Sequence, residues 1–249
     1  MTTLTVTQEI SRKKVWLMFD RIAHRYDLLN RLLSMRQDVA WRKKLARHLP
    51  DYRPLYLLDL ATGTGDVAIS LMRHGSGITR ALGVDMSEKM LDEGRQKLKK
   101  LQLTDAIRLQ TGDATALDLP DNTFDVTTIA FGIRNVMDPS VSLREMIRVL
   151  KPGGRSLILE FSLPENALMR KLYLFYFRHV LPKIGALISG DSYAYNYLNQ
   201  TVETFPYGDA FCRLMEEAGF KNVSAHPLTF GIATIYRGDK PAATTGEVR

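Results

Sequence analysis

The ten residues from Leu57 to Asp66 (Leu-Leu-Asp-Leu-Ala-Thr-Gly-Thr-Gly-Asp) constrain the fold more than any other stretch of this chain. An apolar run of strand type ends near Ala61, glycines follow at 63 and 65, and a helical pattern opens at Asp66. Glycine at these two positions lets the backbone turn tightly and lets a ligand lie directly against the main chain. A turn of this kind places its ligand at the carboxyl edge of a sheet, beside the N–H groups of a helix N-terminus.

The flanking sequence supplies that sheet. Strand-like runs at 55–60, 79–84, 107–111, 124–130 and 155–161 alternate with helical patterns at 66–74, 87–101 and 140–150. Strands separated by helices of this length predict βαβ units and a parallel sheet. A helix at 207–218 ends on Gly219, and two closing runs, 221–226 and 230–236, read as strands. The expected fold is therefore α/β and doubly wound: a Rossmann-like, mostly parallel seven-stranded sheet. Three helical stretches precede it, 8–22, 24–33 and 38–49, with Asp38 as N-cap or first-turn acid of the third. Residues 164–206 are largely helical in pattern and rich in aromatic residues, among them Tyr173, Phe177, Tyr193, Tyr195 and Tyr197. Residues 1–50 read as a helical cap on a single domain, 51–238 as its body with a helical lid at 164–206, and 239–249 as a flexible tail.

The segment Gly63-Thr64-Gly65-Asp66-Val67-Ala68 also fits the dinucleotide pattern G-x-G-x-x-A. Three details point elsewhere. Asp66 puts negative charge where a pyrophosphate would bind. Asp59, at the strand end, is placed to orient the charged methionine end of S-adenosylmethionine, directly or through water. The last two strands resemble the closing hairpin of methyltransferases. Asp85 ends the second strand, with Met86 beside it, where a carboxylate accepts from both ribose hydroxyls. Asp113, followed by Ala114, comes after the third strand and can accept from an adenine amino group. Each acid alone reads equally well as a turn or cap residue. Three at consecutive strand ends on one edge point to S-adenosylmethionine, bound by Asp59, Gly63, Thr64, Gly65, Asp85, Met86, Asp113 and Ala114.

Charge is unevenly placed. The chain has a net charge of +7, and residues 1–50, with eleven Lys/Arg against four Asp/Glu, carry all of the excess. Such asymmetry suggests a surface that meets nucleic acid, a phospholipid face or an acidic partner, or else a set of solvated helix faces. No run of eighteen uncharged apolar residues occurs, so no transmembrane helix is expected, and the N-terminus lacks the apolar core of a secretory signal. Cys212 is the single cysteine, which excludes an intrachain disulfide and a cysteine-rich zinc site; a cytoplasmic location is the expectation. The five histidines are scattered without ligand spacing, so no metal centre is expected.

Two further segments carry a family resemblance. Tyr26-Asp27-Leu28-Leu29-Asn30-Arg31-Leu32-Leu33-Ser34, followed by Trp41, is similar to the N-terminal signature of the C-methyltransferases of menaquinone and ubiquinone biosynthesis, the UbiE/MenG/COQ5 group. Arg148-Val149-Leu150-Lys151-Pro152-Gly153-Gly154-Arg155, continuing to Glu160-Phe161-Ser162, resembles the second signature. Phe131-Gly132-Ile133-Arg134-Asn135 and His179-Val180-Leu181-Pro182-Lys183-Ile184-Gly185 also resemble family segments, and the likeness runs over roughly residues 10–238. The chain departs from the family at Asp38, where histidine is usual, at Leu29, often methionine, and at Ala130, where a serine contacts the cofactor. At Ala130 only a backbone contact can remain. By matching motif the resemblance implies cofactor contacts at Thr64, Asp85, Asp113 and Ala114.

The resemblance implies methylation of a ring carbon on a prenylated quinol. Such an enzyme must align that carbon with the S–CH₃ bond and make it nucleophilic, which deprotonation of a neighbouring hydroxyl achieves. Candidates for the acceptor site are Tyr26, Asp27, Asn30, Arg134, Asn135, His179 and Tyr195. Arg134 could stabilise a developing phenolate, Asn135 could hold a hydroxyl, and Asp27 or His179 could take the proton. Each has a plainer reading: Tyr26 as a packed tyrosine, Asp27 and Asn30 as helix polar-face residues, His179 as a surface histidine, Arg134 as an ion-pair partner.

A prenylated substrate lives in a bilayer. The basic N-terminal helices and the stretch from Leu172 to Ile188 suit peripheral attachment to an anionic membrane face, and equally a lid with a buried aromatic stripe. No nucleic-acid partner is expected, because no Asn-Pro-Pro-Tyr-type segment is present; a homodimer is left open. The acceptor is expected to be demethylmenaquinol, with the 2-polyprenyl-6-methoxy-1,4-benzoquinol precursor of ubiquinone as the alternative. A natural-product methyltransferase and a non-catalytic cofactor-binding scaffold are the rival readings.

Overall fold

The side chains of β1 (Leu55–Leu60) alternate between two hydrophobic layers, and both layers are closed. Leu55 and Leu57 enter one with Trp41, Leu45 and Ile69, while Leu58 and Leu60 enter the other with Ile129, Phe211 and Tyr236. All four leucines are fully buried, and each contributes on the order of 1.5–3 kcal/mol. A strand apolar on both faces belongs at the centre of a sheet covered on both sides.

In the computed structural model, residues 15–74, 77–180 and 201–243 are described. Around β1 lie β2 (Ile78–Asp85), β3 (Ile107–Thr111), β4 (Phe124–Ala130), β5 (Leu150–Phe161), β6 (Lys221–Leu228) and β7 (Ala233–Asp239), in the spatial order β3-β2-β1-β4-β5-β7-β6. β1 to β5 pair in parallel, and β7 runs antiparallel to both β5 and β6. The expected α/β doubly wound sheet of seven strands is present, with the closing hairpin as its antiparallel edge. The strand order reverses at β1, which has β2 on one side and β4 on the other, so their carboxyl ends open a crevice of the kind that holds ligands in such sheets.

The α-helices bounded within the described residues are α1 (Val15–Leu33), α2 (Gln37–Leu45), α3 (Asp66–Arg73), α4 (Glu88–Leu101), α5 (Pro139–Val149), α6 (Ala167–Phe175) and α7 (Asp209–Glu217). Their starts follow local chemistry. Ser87 accepts from the Met90 N–H to open α4, and Asp138, with Pro139 in the first turn, accepts from Ser140 and Val141 to open α5.

Several boundaries differ from the sequence expectation. One continuous α1 replaces the expected helices 8–22 and 24–33, because no glycine or proline interrupts the chain between them. Residues 1–14 lie outside the described residues. α1 stops where Met35 and Arg36 turn left-handed (φ 50° and 63°), and α2 ends at Leu45 in a tight turn over Ala46–His48. Asp38 is a first-turn acid; Arg36 holds the N-cap position. β5 begins at Leu150 rather than 155, because Lys151 to Gly154 form a bulge whose backbone pairs with Lys240. β7 starts at Ala233, three residues later than expected, since Thr229–Gly231 form the hairpin turn. Of the expected lid, α6, a wide turn at Tyr176–Val180 and a helical piece at 201–204 are described. Residues 181–200, with Tyr193, Tyr195, Tyr197 and the segment Leu181 to Gly185, and the tail from 244, lie outside the described residues.

Candidate active site

The turn after β1 is built on two left-handed glycines, Gly63 (φ 56°) and Gly65 (φ 80°), the latter capping α3. The Gly63 N–H donates to Asp85 Oδ2 at 2.8 Å, and the Ser87 N–H donates to Asp85 Oδ1 at 2.9 Å. Asp85 therefore locks the β2 end to the glycine turn. Burial pushes its carboxyl up, against the N–H bonds from Ser87, Gly63 and Met86 that favour the anion. Each oxygen keeps a lone pair, so the carboxylate can accept two further hydroxyl donors. Met86 stands exposed beside it. Asp113 Oδ1 takes both the N–H and the hydroxyl of Thr115, at 2.8 and 2.7 Å, and its other oxygen takes no bond among the described residues. Ala114 is buried and Ala130 half-buried at the end of β4.

Asp59 departs from expectation. It is fully buried, and its oxygens accept from Thr62 Oγ1 and from Thr128 Oγ1, each at 2.6 Å. Thr128 is its register partner on β4. Burial lifts its carboxyl to about 6, with the two threonine bonds working the other way. Asp59 points into the base of the crevice and braces β1 against β4, so it reaches a ligand only through the turn it supports.

Asp27 also departs. Thr64 Oγ1 donates to Asp27 Oδ1 at 2.8 Å, and Lys97 Nζ donates to Asp27 Oδ2, to Thr64 Oγ1 at 2.7 Å and to Asp66 Oδ1 at 2.8 Å. Burial opposes ionisation of Asp66, but the charges of Arg42, Lys97 and Arg31 outweigh it and hold the carboxyl below its usual range. Both Asp27 oxygens are thus engaged by a hydroxyl and an ammonium. This arrangement staples α1 to the glycine turn and occupies both carboxylate oxygens with protein partners. The Thr64 hydroxyl is likewise turned toward α1.

Across the crevice, the chain leaving β4 turns at Phe131 (φ 56°) into a tight helical turn at Ile133–Asn135. No side chain fits at Gly132, where a Cβ would come within 2.5 Å of the Ala61 Cβ. Arg134, expected to face the acceptor, is buried. Its Nη1 donates to Glu160 Oε1 at 2.5 Å and to the Phe131 carbonyl at 2.7 Å, and its guanidinium lies 5.2 Å from the centre of the Phe161 ring. Burial pushes the Glu160 carboxyl up, opposed by the Arg134 charge. Asn135 Nδ2 donates to the same Phe131 carbonyl at 3.3 Å.

Tyr26 connects the two sides. It lies near the glycine turn, where a Cβ on Gly63 would come 4.0 Å from its ring, and it meets Phe19 edge-on at 5.8 Å between centroids. Burial pushes its phenol up, countered by a bond with Asn30 and by the charges of Arg42 and Arg134. Tyr26, bonded to Asn30, thus lies within reach of the charges of Asp85 and Arg134, and Asn135 follows Arg134 in the same turn. His179 is not among them: it is exposed, 5.2 Å from Phe175 between ring centres, as in its plainer reading. Glu160, joined to Arg134, is the residue that the sequence reading passes over, although an acid at the carboxyl end of a buried strand was the available signal for it. Among the described residues no group of three His, Cys, Asp or Glu side chains could hold a metal ion.

Known proteins with this arrangement are numerous. Among solved structures, a SAM-dependent methyltransferase from Thermotoga maritima superposes with a TM-score of 0.64 at 22% identity, covering 90% of this chain and 99% of its own. The [4+2]-cyclase SpnF superposes at 0.61 with 17% identity, covering 92% and 95%, so likeness at this level shows the fold and not the reaction. Sequence is more telling. The chain is 47% identical over 231 residues to the Geotalea daltonii protein named ubiquinone/menaquinone biosynthesis C-methyltransferase UbiE, covering 92% of this chain and 97% of the relative. It is 44% identical over 223 residues to the demethylmenaquinone methyltransferase of Bacteroides fragilis, covering 90% and 91%. The profile of the ubiE/COQ5 methyltransferase family matches residues 7–240. With a family match across nearly the whole chain, the chain belongs to the ubiE/COQ5 methyltransferase family.

Proposed function

We propose that this protein transfers a methyl group from S-adenosylmethionine to a ring carbon of a prenylated quinol, with demethylmenaquinol as the acceptor. The observation that carries this reading is the pairing of two unlike walls on one crevice. One wall is a glycine turn locked to Asp85, and the other is the buried Arg134–Glu160 pair among Phe131, Phe161 and Tyr26. The names of relatives support the acceptor: a demethylmenaquinone methyltransferase in Bacteroides fragilis, and an enzyme of both pathways in Geotalea daltonii. The second name keeps the ubiquinone precursor as an alternative acceptor.

The residues present fit the cofactor. Gly63 offers main chain without a side chain, Asp85 has spare lone pairs for a ribose diol, Met86 offers an exposed apolar surface for a base, and Asp113 has a free oxygen for an amino group. Bound there, S-adenosylmethionine supplies an electrophilic methyl whose transfer returns the S–C electron pair to sulfur. The protein's own share is positioning and charge. Burial on the Arg134 side excludes water, and its guanidinium, held by Glu160 and the Phe131 carbonyl, offers positive charge to an oxygen losing its proton. The acceptor's ring hydroxyl gives up one proton as the carbon becomes nucleophilic. The methylated carbon then sheds its own proton to restore aromaticity, and the ring oxygen regains one, so one proton leaves overall.

An acceptor with a prenyl tail resides in a bilayer. Leu168, Leu172 and Phe175 stand exposed along one side of α6 with Lys171 between them; Met35 before α2, Val39 in its first turn and Phe230 in the hairpin turn are also exposed, and the Gln37–Thr229 contact joins these two places. Apolar side chains beside basic ones suit peripheral contact with an anionic membrane surface. No described helix is long and apolar enough to cross a membrane. The test is transfer of a deuterated methyl from S-adenosylmethionine to demethylmenaquinol and, in parallel, to the benzoquinol precursor, both in liposomes. A product of demethylmenaquinol heavier by a trideuteromethyl group on the ring supports the reading; labelling of the benzoquinol alone reassigns the acceptor; labelling of neither withdraws it.

A further inference from the structure

One face of the sheet carries Leu157, Leu159, Leu228 and Ile235, and the alternation of the strands continues that face through Arg155, Ser224, His226, Arg237 and Asp239. Arg155 and Asp239 are register partners toward the amino end of β5, away from the crevice at the carboxyl ends. The tight turn after α2 brings His48 onto this group. Its ring lies 4.4 Å from that of His226 between centroids, and its carbonyl accepts from Arg155 Nη1 at 3.0 Å. Ser224 Oγ and His226 Nε2 are 3.1 Å apart, and Ser224 is the register partner of Arg237.

Donors outnumber acceptors in this cluster. Arg155 donates to Asp239 through Nε at 2.6 Å and through Nη2 at 3.4 Å, and Arg237 Nη2 and Asn222 Nδ2 reach the same carboxylate at 3.4 and 3.3 Å. Among the described residues Asp239 is the one acid paired with either arginine. Arg237 Nε is buried without a hydrogen-bond partner, although the side chain as a whole is 32% exposed and so open to solvent. The His48 ring and His226 Nδ1 take no hydrogen bond among the described residues. Burial pushes the His48 imidazole down to about 4, helped by His226, Arg237, Arg155 and Arg47, and burial with the Arg237 charge lowers His226. Both rings are therefore neutral at pH 7, and each has an N–H to give.

An oxyanion supplies what the cluster lacks. Its oxygens accept from Arg237 Nε and from the two imidazoles, and its charge offsets the arginines that hold those imidazoles neutral. A cation would meet two guanidinium groups and one occupied carboxylate. A phosphate group has two sources, a soluble ion and a lipid headgroup, and position selects the first. From Arg155 to Phe161 β5 runs roughly 20 Å. Phe161 pairs with Ala233 beside the hairpin turn that carries Phe230, so the exposed apolar residues suited to a membrane sit at the far end of the strand.

We propose that His48, His226 and Arg237 form a binding site for a soluble oxyanion of phosphate type, at the edge of the sheet opposite the crevice. The site stands independently of the acceptor reading.

The test titrates inorganic phosphate into the full chain at constant ionic strength and follows the imidazole C–H signals by NMR across pH. The wild type, Arg237→Gln and His48→Phe are compared, the last keeping a ring against His226 and the net charge at pH 7. Melting curves without phosphate check that each variant is folded. Half-saturation of the wild type is expected at about 1 mM or below. Bound phosphate should raise the titration midpoints of His48 and His226 by about one pH unit or more and leave those of His24, His74 and His179 in place. Each variant should bind phosphate about tenfold more weakly. Unmoved midpoints at His48 and His226, equal shifts at all five histidines, or full-strength binding by a folded variant overturns the proposal. Wild type and His48→Phe should bind phosphatidylglycerol vesicles alike; weaker vesicle binding by the variant would make the occupant a lipid headgroup and overturn the soluble one.

Discussion

Arg134 and Glu160 meet at 2.5 Å between Nη1 and Oε1, with side chains 6% and 1% exposed. They leave adjacent parallel strands at their carboxyl ends, so the pair forms a charged but nearly neutral floor on one side of the crevice.

A buried pair of this kind costs more to break than to remove. Arg134→Met and Glu160→Leu should each destabilise by about 3–5 kcal/mol, since each leaves one buried charge uncompensated. The double variant should be less destabilised than the sum of the two, by a coupling of a few kcal/mol in a denaturant cycle. Additive effects would mean that the pair is solvated rather than buried.

Asp27 is assigned to holding α1 on the glycine turn. Asp27→Asn should therefore keep the maximal turnover rate within several-fold while weakening the fit of the turn, seen as a raised KM for the methyl donor. Removal of a general base would instead cost about 10²–10⁴-fold in rate. A loss of that size returns Asp27 to proton transfer.

Asp59 makes stability depend on pH. Its ordinary value is 3.8 and burial lifts it to about 6, so the folded state holds this proton more tightly than the unfolded chain. The stabilising contribution is fully present below the unfolded value and is lost as pH rises through the folded one. The shift corresponds to about 3 kcal/mol. Asp59→Asn should remove this dependence, so that the variant gains on the wild type between pH 4 and 6 in chemical denaturation and keeps a constant difference above. Parallel curves throughout would place the Asp59 titration elsewhere.

Gly132 admits no side chain, with Ala61 Cβ at 2.5 Å from the position of an added Cβ. Gly132→Ala should force the ends of β1 and β4 apart, costing about 1–3 kcal/mol in stability and weakening both sides of the crevice. An unaltered melting temperature would show that the two turns slide freely past one another.

The strand ends were readable in the sequence because turn chemistry is local. Gly63, Gly65, Asp85 and Asp113 announce themselves within a few residues, and the structure sets them along one edge of the sheet. The direction in which Asp59 faces was not readable, because it depends on Thr128, 69 positions away and brought alongside only by strand pairing. Arg134 and Glu160, 26 positions apart, meet for the same reason. Asp27 was visible as a candidate, but its partners Thr64 and Lys97 lie on a turn and a helix that only the packing of α1 on α4 brings to it. The continuity of α1 was not read, although the absence of glycine or proline between the two expected helices was the available signal for it.

The central claim is that one wall of the crevice binds the methyl donor and the other the acceptor. Calorimetric titration of S-adenosylmethionine into wild type, Asp85→Ala and Arg134→Ala, each checked for folding by its melting curve, tests it most directly. Asp85→Ala should lose about 10–100-fold in affinity, the worth of about 1.5–3 kcal/mol of charge-assisted hydrogen bonding, while Arg134→Ala should bind the donor nearly as wild type does. Unchanged affinity in Asp85→Ala, or an equal loss in both folded variants, would contradict the division of the site.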